Sequence, residues 1–314
     1  MLPDPAPATD PLVSVVIPCY NVRDYVEATV ASVLAQTYER IEIICVDDGS
    51  ADGTPEMLRR LEAEHPERIR VLEGPHSGAP AARNAGFAEA KGTFVQFLDA
   101  DDLLVPTKTE RHVALAQETE ADIVAGTFLR CYDDGREVLR EAGEETWTAL
   151  VWSQMGVTSA NLFRREAVEA VGGWREGQHS SQEYELMFRI LKRGGAVAFD
   201  DEVVMRKGIR DDSISGPYDA PVRESYLALC ADVFAYLQEQ GTLTPAQEQT
   251  ILDSIFVKVR NLYPLDPGAA MRHHRRAVPP GYTPGPKTGT GALFSFVYKL
   301  FGLRAAERLR AFKS

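Results

Sequence analysis

Residues 93–102 read TFVQFLDADD, an apolar run that ends in a cluster of aspartates. Bulky apolar residues predict a buried strand at 93–98. Three earlier segments of the same kind predict strands at 13–17, 41–46 and 69–72. Helical patterns follow these three strands, at 25–34, 54–64 and 80–90. Strands that alternate with helices predict a parallel sheet covered by helices, in which ligands bind beyond the carboxyl ends of the strands.

Two acidic clusters fall at this ligand-binding edge. Asp47 and Asp48 follow the second strand, and Asp99, Asp101 and Asp102 follow the fourth. Adjacent carboxylates repel each other unless a cation or hydrogen-bond donors neutralise them. Oxygen-rich clusters suit Mg²⁺ or Mn²⁺, and such an ion can bridge substrate phosphates. A single Asp pair would be explained equally well as a loop feature, but clusters at two strand ends favour a functional role.

The rest of the chain predicts shorter elements and then a helical region. We expect strands at 122–128 and 160–163 and helices at 166–171 and 183–192. From about Pro221 the pattern changes to amphipathic helices, at 224–240 and 245–259. A Pro- and Gly-rich segment at 278–291 predicts a linker before a last amphipathic helix.

The composition is that of a globular protein and disfavours several function classes. The 314 residues suggest about two domains. The formal net charge of −12 disfavours binding of nucleic acid over a broad face. The four cysteines form no CxxC pair, so we predict reduced thiols in a cytosolic protein rather than a zinc site. Neither a signal-peptide pattern nor an apolar run long enough to span a bilayer is present in the sequence.

Six segments of the chain carry a family resemblance. They are SVVIPCYN (14–21), SVLAQTYERIEIICVDDGSADGT (32–54), GAPAARNAG (78–86), FVQFLDADD (94–102), LFRREAVEAVGGW (162–174) and SSQEYELMFRILKRG (180–194). In this order they resemble family 2 inverting glycosyltransferases, over about residues 11–216. The resemblance implies the GT-A fold, an α/β fold with a Rossmann-like mixed sheet flanked by helices. The sequence has no QxxRW-like motif, which favours the non-processive bacterial type over a processive synthase.

The resemblance implies that residues at the ends of the first two strands bind the donor. Pro18, Tyr20 and Asn21 lie in the loop that contacts the base and ribose, where Tyr20 could stack on uracil. Asp48 matches the aspartate that accepts a hydrogen bond from the uracil N3–H. Arg83 matches an arginine near the base and phosphates, a place that suits a bidentate cation. Taken alone, Tyr20 could equally be a surface tyrosine and Arg83 a solvated helix arginine.

The segment Asp99-Ala100-Asp101 matches the DXD motif of the family, which contacts the nucleotide sugar and a divalent metal, Mn²⁺ or Mg²⁺. Side chains alternate along an extended chain, so Asp99 and Asp101 are expected on the same side. The expected metal ligands are Asp99 and Asp101, and Asp102 could share that role.

The general base of the family lies in an acidic pair at a helix start, and this chain departs from that pattern. The pair reads Gln182-Glu183, so the first acid is absent and the expected base is Glu183. Gln182, Trp174 and Arg210 are expected on the acceptor side. Trp174 could form a platform for a sugar ring or act as a core anchor. Arg210 stands about where many relatives carry a histidine. It could bind diphosphate directly but could not ligate a metal.

The predicted organisation has five parts. They are a flexible lead (1–11), a GT-A domain (12–216) with a nucleotide-sugar half (12–105) and an acceptor half (106–216), a helical extension (217–277), a Pro/Gly linker (278–291) and a basic amphipathic tail (292–314). The tail carries five basic residues against one acidic residue. It could lie on an anionic membrane surface, or pack on its own domain or on a second subunit.

The leading functional hypothesis is a metal-assisted, inverting transfer of a sugar from a nucleoside diphosphate sugar, with UDP favoured. The acceptor would be a hydroxyl of a glycan or lipid-linked glycan. The expected location is cytoplasmic, with a peripheral contact at the inner face of the membrane. The sequence is compatible with an oligomer as well as with a monomer. A catalytically silent nucleotide-sugar or glycan-binding relative is the alternative, because the acidic pair is altered. A sugar nucleotidyltransferase or a dinucleotide-dependent oxidoreductase is disfavoured, because no Gly-rich loop follows the first strand.

Overall fold

The computed structural model describes residues 10–132, 134–209 and 219–311. The chain divides into two compact units. The first comprises Met1–Glu144, Met155–Gln178 and Gln182–Asp211, and the second comprises Glu145–Gln154, His179–Ser181 and Asp212–Ser314. Of the predicted flexible lead, residues 1–9 lie outside the described residues.

A mixed sheet forms the centre of the first unit. Within the described residues its nine strands are β1 (Val13–Cys19), β2 (Ile41–Asp48), β3 (Ile69–Gly74), β4 (Phe94–Phe97), β5 (Asp102–Leu104), β6 (Ile123–Tyr132), β7 (Glu137–Arg140), β8 (Leu162–Arg164) and β9 (Val197–Ile209). Their order is β3-β2-β1-β4-β8-β6-β9-β5, and β7 pairs with β6. The neighbours among β1 to β4 are parallel, whereas β8 runs antiparallel to β4 and β6.

Helices accompany the sheet in the chain order expected of an α/β fold. In the first unit they are α1 (Val26–Leu34), α2 (Thr54–Glu64), α3 (Ala79–Glu89), α4 (Lys108–Glu118), α6 (Arg165–Ala170) and α7 (Gln182–Lys192). Helix α5 (Thr146–Trp152) falls in the predicted acceptor half but belongs to the second unit. The predicted α/β class, with a mixed sheet flanked by helices, is confirmed.

Close packing positions α3 against the sheet. Side chains of β1 such as Val15 and Ile17 are fully buried, as their β-branched character predicts. A Cβ atom on Gly86 of α3 would lie only 2.4 Å from Cγ1 of Val16, so glycine at this position allows the helix to approach β1. This approach matters because α3 also carries Arg83.

The strand registers bring three carboxyl ends to one edge of the sheet. Val13 of β1 pairs with Ile41 of β2 and with Phe94 of β4. Tyr20, Asp48 and Asp99 lie at or just beyond the carboxyl ends of these strands. The edge predicted to bind ligands is therefore formed as expected.

Strand β9 contributes to the site, although no sequence pattern predicts it. Its sequence, VAFDDEVVMRKGI, places three acids in a row within the strand, which hides the apolar alternation. The pairing with β6 is also irregular, with register shifts around Thr127. A prediction from alternating apolar residues fails here, because the strand is formed by pairing with β6 and β5 and not by a regular alternation along its own sequence.

The second unit is helical in its described part. It contains α5, α8 (Ala220–Gln240), α9 (Pro245–Leu262), α10 (Pro267–Ala277) and α11 (Ala292–Ala311). Helix α9 begins at a capping box, in which the Thr244 and Gln247 side chains accept from each other's backbone N–H. The predicted helical C-terminal region is confirmed. No helix of the described residues is long and apolar enough to cross a membrane.

The segment 278–291, whose composition predicts a linker, is bonded to α9. The Tyr282 hydroxyl donates to Oδ1 of Asp253 at 2.6 Å, and the Gly285 N–H donates to the same oxygen at 3.0 Å. Asp253 is 2% exposed. Composition shows that this segment has few helix formers, but it cannot show the polar partner that holds it in place.

Candidate functional site

The loops after β1 and β2 are tied to each other through Asn21. Its φ of 52° lies in the left-handed region, which asparagine tolerates. Its Oδ1 accepts from the Ala51 N–H at 2.9 Å, and its own N–H donates to Ser50 Oγ at 2.9 Å. Pro18 lies within β1 opposite Val46. Asn21 thus shapes the ligand edge, and its contact with a base stays a prediction, as does that of Pro18.

Asp48 is held by donors at the start of α3. Its Oδ1 accepts from the Ser77 N–H at 2.7 Å, and its Oδ2 accepts from the Gly78 N–H at 2.9 Å. His76 Nδ1 lies 2.9 Å from Oδ2. A carboxylate offers about four acceptor positions. These three partners leave capacity for one more donor.

His76, which no sequence pattern singles out, contacts the predicted site residues Tyr20 and Asp48. Its ring stacks on Tyr20, with the centroids 4.1 Å apart and 23° between the planes. Tyr20 is 39% exposed, so the pair forms an accessible aromatic surface. A Cβ atom on Gly49 would lie 2.8 Å from the His76 backbone nitrogen, so glycine is needed where the two loops meet. A single histidine in the loop GPHSGAP gives no periodic signal that could have revealed this role.

Arg83 joins three of the predicted site residues. Its guanidinium donates to Asp99 Oδ1 at 2.8 Å and to Gln182 Oε1 at 2.8 Å. The same group lies 4.6 Å from the centre of the Trp174 ring. Arg83 is only 5% exposed. It is therefore a buried connector and not a solvated helix arginine.

Trp174 is fixed from two sides. The side chain of Asn84, next to Arg83 in α3, accepts from the Trp174 N–H at 2.8 Å and donates to its carbonyl at 2.9 Å. The ring meets Phe97 edge-on, with the centroids 5.0 Å apart. Trp174 is 3% exposed. This burial favours the core anchor over the platform for a sugar ring.

Asp99 and Asp102 share a lysine of strand β9. Lys207 pairs with Asp102 in the β5–β9 register, and its Nζ lies 3.1 Å from Asp102 Oδ2 and 3.5 Å from Asp99 Oδ2. Ser159 connects the same two aspartates. Its Oγ donates to Asp102 Oδ2 at 2.6 Å and accepts from the Asp99 N–H at 3.0 Å. Lys207 was not among the predicted site residues because β9 was not predicted.

These contacts and the burial of the two carboxyl groups shift the pKa of Asp99 and the pKa of Asp102 in opposite directions. Burial raises the pKa of Asp102 to about 7, although Lys207 acts in the opposite direction. Burial also acts to raise the pKa of Asp99, but Arg83 and Lys207 outweigh it, so the pKa of Asp99 is lowered. For Lys207, the attraction of Asp102 and Asp99 outweighs the effect of burial, so its pKa is raised. Asp99 is thus held ionised.

The three predicted metal ligands differ in accessibility. Both oxygens of Asp102 face Lys207, one of them also accepts from Ser159, and the residue has no exposed surface, so we remove Asp102 from the proposed ligands. The Asp99 side chain is 29% exposed and, with Asp101, offers the oxygen ligands that Mg²⁺ and Mn²⁺ prefer. In the described part of the chain, no three or more His, Cys, Asp or Glu side chains are grouped to hold a metal. A metal bound by Asp99 and Asp101 would have to take its other ligands from substrate phosphates and water.

Glu183 stands in the first turn of α7. Burial raises its pKa, Arg83 and Lys207 act to lower it, and Asp99 acts to raise it. These influences mean that Glu183 lies within electrostatic reach of the aspartate cluster. A carboxylate whose pKa is raised is a stronger proton acceptor, as a general base requires.

Glu185 also lies in the first turn of α7, and it is bound by two arginines. Its carboxylate binds Arg189 at 2.9 Å and Arg175 at 2.9 Å. Arg189 in turn donates to the carbonyls of Val171 at 2.5 Å and Gly173 at 2.7 Å. This clamp ties α7 to the turn before Trp174, and no sequence pattern other than the acidic residue itself predicts it.

Ala100 and Arg210 are the two predicted site residues not yet described. Ala100 is 4% exposed, and its carbonyl accepts from Thr29 Oγ1 at 2.8 Å, which fixes the backbone of the DXD segment. Arg210 lies outside the described residues. The structure thus brings Arg83, Asp99 and Gln182 into direct contact, and it holds Tyr20 and Asp48 through His76.

Comparisons with known proteins agree with this architecture. The family model described as "Glycosyl transferase family 2" matches residues 14–172. Glycosyltransferase GlyG of Streptococcus pneumoniae serotype 4 is 39% identical over 207 residues, which cover 62% of this chain and 64% of GlyG. The uncharacterized glycosyltransferase alr2836 of Nostoc sp. is 35% identical over 170 residues, which cover 51% and 52% of the two chains. This chain therefore matches only about half the length of alr2836.

Two solved structures share the fold. Staphylococcus aureus TarS 1-349 in complex with UDP-GlcNAc aligns with a TM-score of 0.59 and 16% identity, over 81% of this chain and 83% of TarS 1-349. The mannosyltransferase PcManGT from Pyrobaculum calidifontis, in complex with GDP-Man and Mn²⁺, aligns with a TM-score of 0.60 and 19% identity, over 99% and 81%. At these identities the likeness concerns the fold, and it confirms the expected GT-A architecture.

Proposed function

Because this chain belongs to glycosyl transferase family 2, we propose that it moves a sugar from a nucleoside diphosphate sugar to a hydroxyl group of a glycan or lipid-linked glycan, with inversion at the anomeric carbon. One observation carries the proposal. Arg83 binds both Asp99 of the DXD segment and Gln182, the residue before Glu183. Donor-binding and proton-accepting groups are thereby linked through a single side chain.

The proposed donor site lies at the ends of β1, β2 and β4. The exposed Tyr20–His76 pair offers an aromatic surface for a base. Asp48 retains capacity for one donor, which suits the N3–H of uracil and supports UDP as the nucleotide. Arg83 and Lys207 bring positive charge beside Asp99, where a diphosphate would lie next to the DXD segment. A divalent metal held by Asp99 and Asp101 would add positive charge for the departing diphosphate.

Glu183 is the proposed general base. It takes the proton of the acceptor hydroxyl while the hydroxyl oxygen attacks the anomeric carbon. The new C–O bond forms as the bond to the diphosphate breaks, and the nucleoside diphosphate leaves with the bonding electrons on the opposite face. This single displacement inverts the configuration. The raised pKa of Glu183 lets it accept a proton more readily than an ordinary surface carboxylate would.

A catalytically silent binding protein is the second candidate, and Gln182 is the observation in its favour. Its side chain accepts from Arg83 and donates to the Gln178 carbonyl at 2.7 Å, so it is held in the network as a neutral group. A protein that had lost one acid of the pair could retain nucleotide-sugar binding without transfer.

The test compares Glu183→Gln with a matched control, Glu166→Gln. Glu166 also lies in the first turn of a helix of the same unit, but it is exposed. With a panel of UDP-, GDP- and dTDP-sugars and Mn²⁺, we expect Glu183→Gln to lose about 10²-fold or more of donor hydrolysis and transfer, with UDP binding retained. Glu166→Gln should behave as the wild type.

The remaining outcomes separate the candidates. UDP binding without turnover of any donor would favour the silent relative. Stabilisation by GDP-sugars alone would overturn the uridine role of Asp48. Loss of UDP binding in Glu183→Gln would overturn its assignment as a base that acts after the donor has bound.

A further inference from the structure

Helix α11 is packed along one side on α9. The rings of Phe294 and Tyr298 lie 6.4 and 4.9 Å from the ring of Phe256. The Arg260 guanidinium lies 4.4 Å from the centre of the Phe294 ring and binds Glu307 at 2.9 Å. These contacts fix the orientation of the helix on its unit and so define which side stays open.

The open side of α11 is apolar. Leu293 is 49% exposed, Phe296 60%, Leu300 57% and Phe301 70%. Their i, i+3, i+7, i+8 spacing puts them on one face of the helix. A contiguous exposed apolar surface of this kind marks an interaction site more often than an isolated leucine does. We call these four residues the apolar face of α11.

The exposed charged side chains of α11 are basic. Lys299 lies in the same helical segment as the apolar face, Arg304 and Arg308 follow the kink at Gly302 (φ 78°), and all three are exposed. The one acidic residue in the sequence of α11, Glu307, is 5% exposed and bound to Arg260. The chain as a whole has a net charge of −12, so the helix opposes the overall balance.

We propose that α11 docks on an anionic lipid surface. The apolar face would enter the boundary between headgroups and acyl chains, and the exposed basic residues would contact lipid phosphates. Charge complementarity selects this occupant. Two copies of the same basic helix would repel each other across a shared interface, whereas anionic lipids neutralise it.

Sedimentation of the full chain with lipid vesicles tests the docking. We expect binding to vesicles of phosphatidylcholine with phosphatidylglycerol, little binding to phosphatidylcholine alone, and weaker binding at high salt. The double variant Phe296→Ser/Phe301→Ser should lower the partition coefficient about tenfold or more. Lys299→Gln should lower it about fivefold.

Leu265→Ser is the matched control, because Leu265 is 50% exposed in the same unit but lies outside α11. It should leave vesicle binding unchanged, and circular dichroism should show that all variants are folded. The proposal is overturned if the wild type does not prefer anionic vesicles, or if Leu265→Ser lowers binding as much as the double variant. It is also overturned if light scattering shows a dimer that the double variant disrupts, without vesicle binding.

Discussion

Two Glu–Arg pairs of the first unit share helical spacing but differ in burial. Glu185 and Arg189 of α7 lie 2.9 Å apart, with side chains 8% and 16% exposed. Arg165 and Glu169 of α6 lie 3.1 Å apart, with side chains 34% and 64% exposed. Arg189 also donates to two carbonyls of the Gly-Gly turn before Trp174. The pairs therefore separate the effect of burial from the effect of spacing.

We expect Arg189→Met to lower the free energy of unfolding by about 4–6 kcal/mol. Removal of one partner from a buried pair costs about 3–5 kcal/mol, and each carbonyl left without its donor adds about 1 kcal/mol. Arg175 remains 2.9 Å from Glu185 and offsets part of this loss. Arg165→Met should cost at most about 0.5 kcal/mol, because solvent screens the exposed pair.

Urea unfolding of the full chain, followed by circular dichroism, measures both effects. A double-mutant cycle of Glu185→Gln with Arg189→Met should give a coupling energy of about 1.5 kcal/mol or more. The same cycle on Arg165 and Glu169 should give about 0.3–0.5 kcal/mol. Equal destabilisation by Arg189→Met and Arg165→Met, or a coupling energy near zero in α7, would refute the reasoning.

Three further changes test other contacts of the site. Lys207→Met should lower the unfolding free energy by about 3 kcal/mol at pH 8, because the buried Asp102 then has no cation and must take up a proton or stay ionised without a partner, and Lys207→Arg should recover most of this in the same urea assay. Gln182→Glu should move the acid limb of the kcat/KM profile to higher pH, because a second carboxylate raises the pKa of Glu183; an unmoved limb would contradict this. Asp48→Asn should cost about 1–3 kcal/mol in thermal or urea unfolding, because an amide that replaces the two carboxylate oxygens leaves one of two backbone N–H groups unpaired. Unchanged stability of that variant would show that the loop finds other acceptors.

Short-range patterns were sufficient to predict the sheet and its ligand edge. The apolar runs at β1, β2 and β4 each span several residues, and the aspartates follow them directly, so local sequence carries the information. The partners of those aspartates lie far away in the chain. Arg83 is separated in sequence by 16 residues from Asp99 and by 99 residues from Gln182, and it binds both. Such contacts depend on how helices cross the sheet, which periodicity does not encode.

The same limit explains the roles of Asp102 and Trp174. The sequence places Asp102 in an acidic cluster, and only the pairing of β5 with β9, 105 residues apart, shows that Lys207 neutralises it. For Trp174 the local pattern fits a platform and an anchor equally well. Its contacts with Asn84 and Phe97 favour the anchor, because burial is a property of the packed unit.

The absence of the first acid in the Gln182-Glu183 pair has a consequence for the charge of Arg83. A glutamate at position 182 would share the guanidinium with Asp99, and two carboxylates would then neutralise one cation. With a neutral glutamine, Arg83 has Asp99 as its charged partner within hydrogen-bond distance, in the described part of the chain. Less of its positive charge is cancelled, so more of it can act on a bound diphosphate. The same glutamine also removes a like charge next to Glu183, which keeps the pKa of that residue lower than an acidic pair would allow. In the proposed mechanism, Gln182 therefore favours donor binding through Arg83 while it limits how strongly Glu183 can hold a proton.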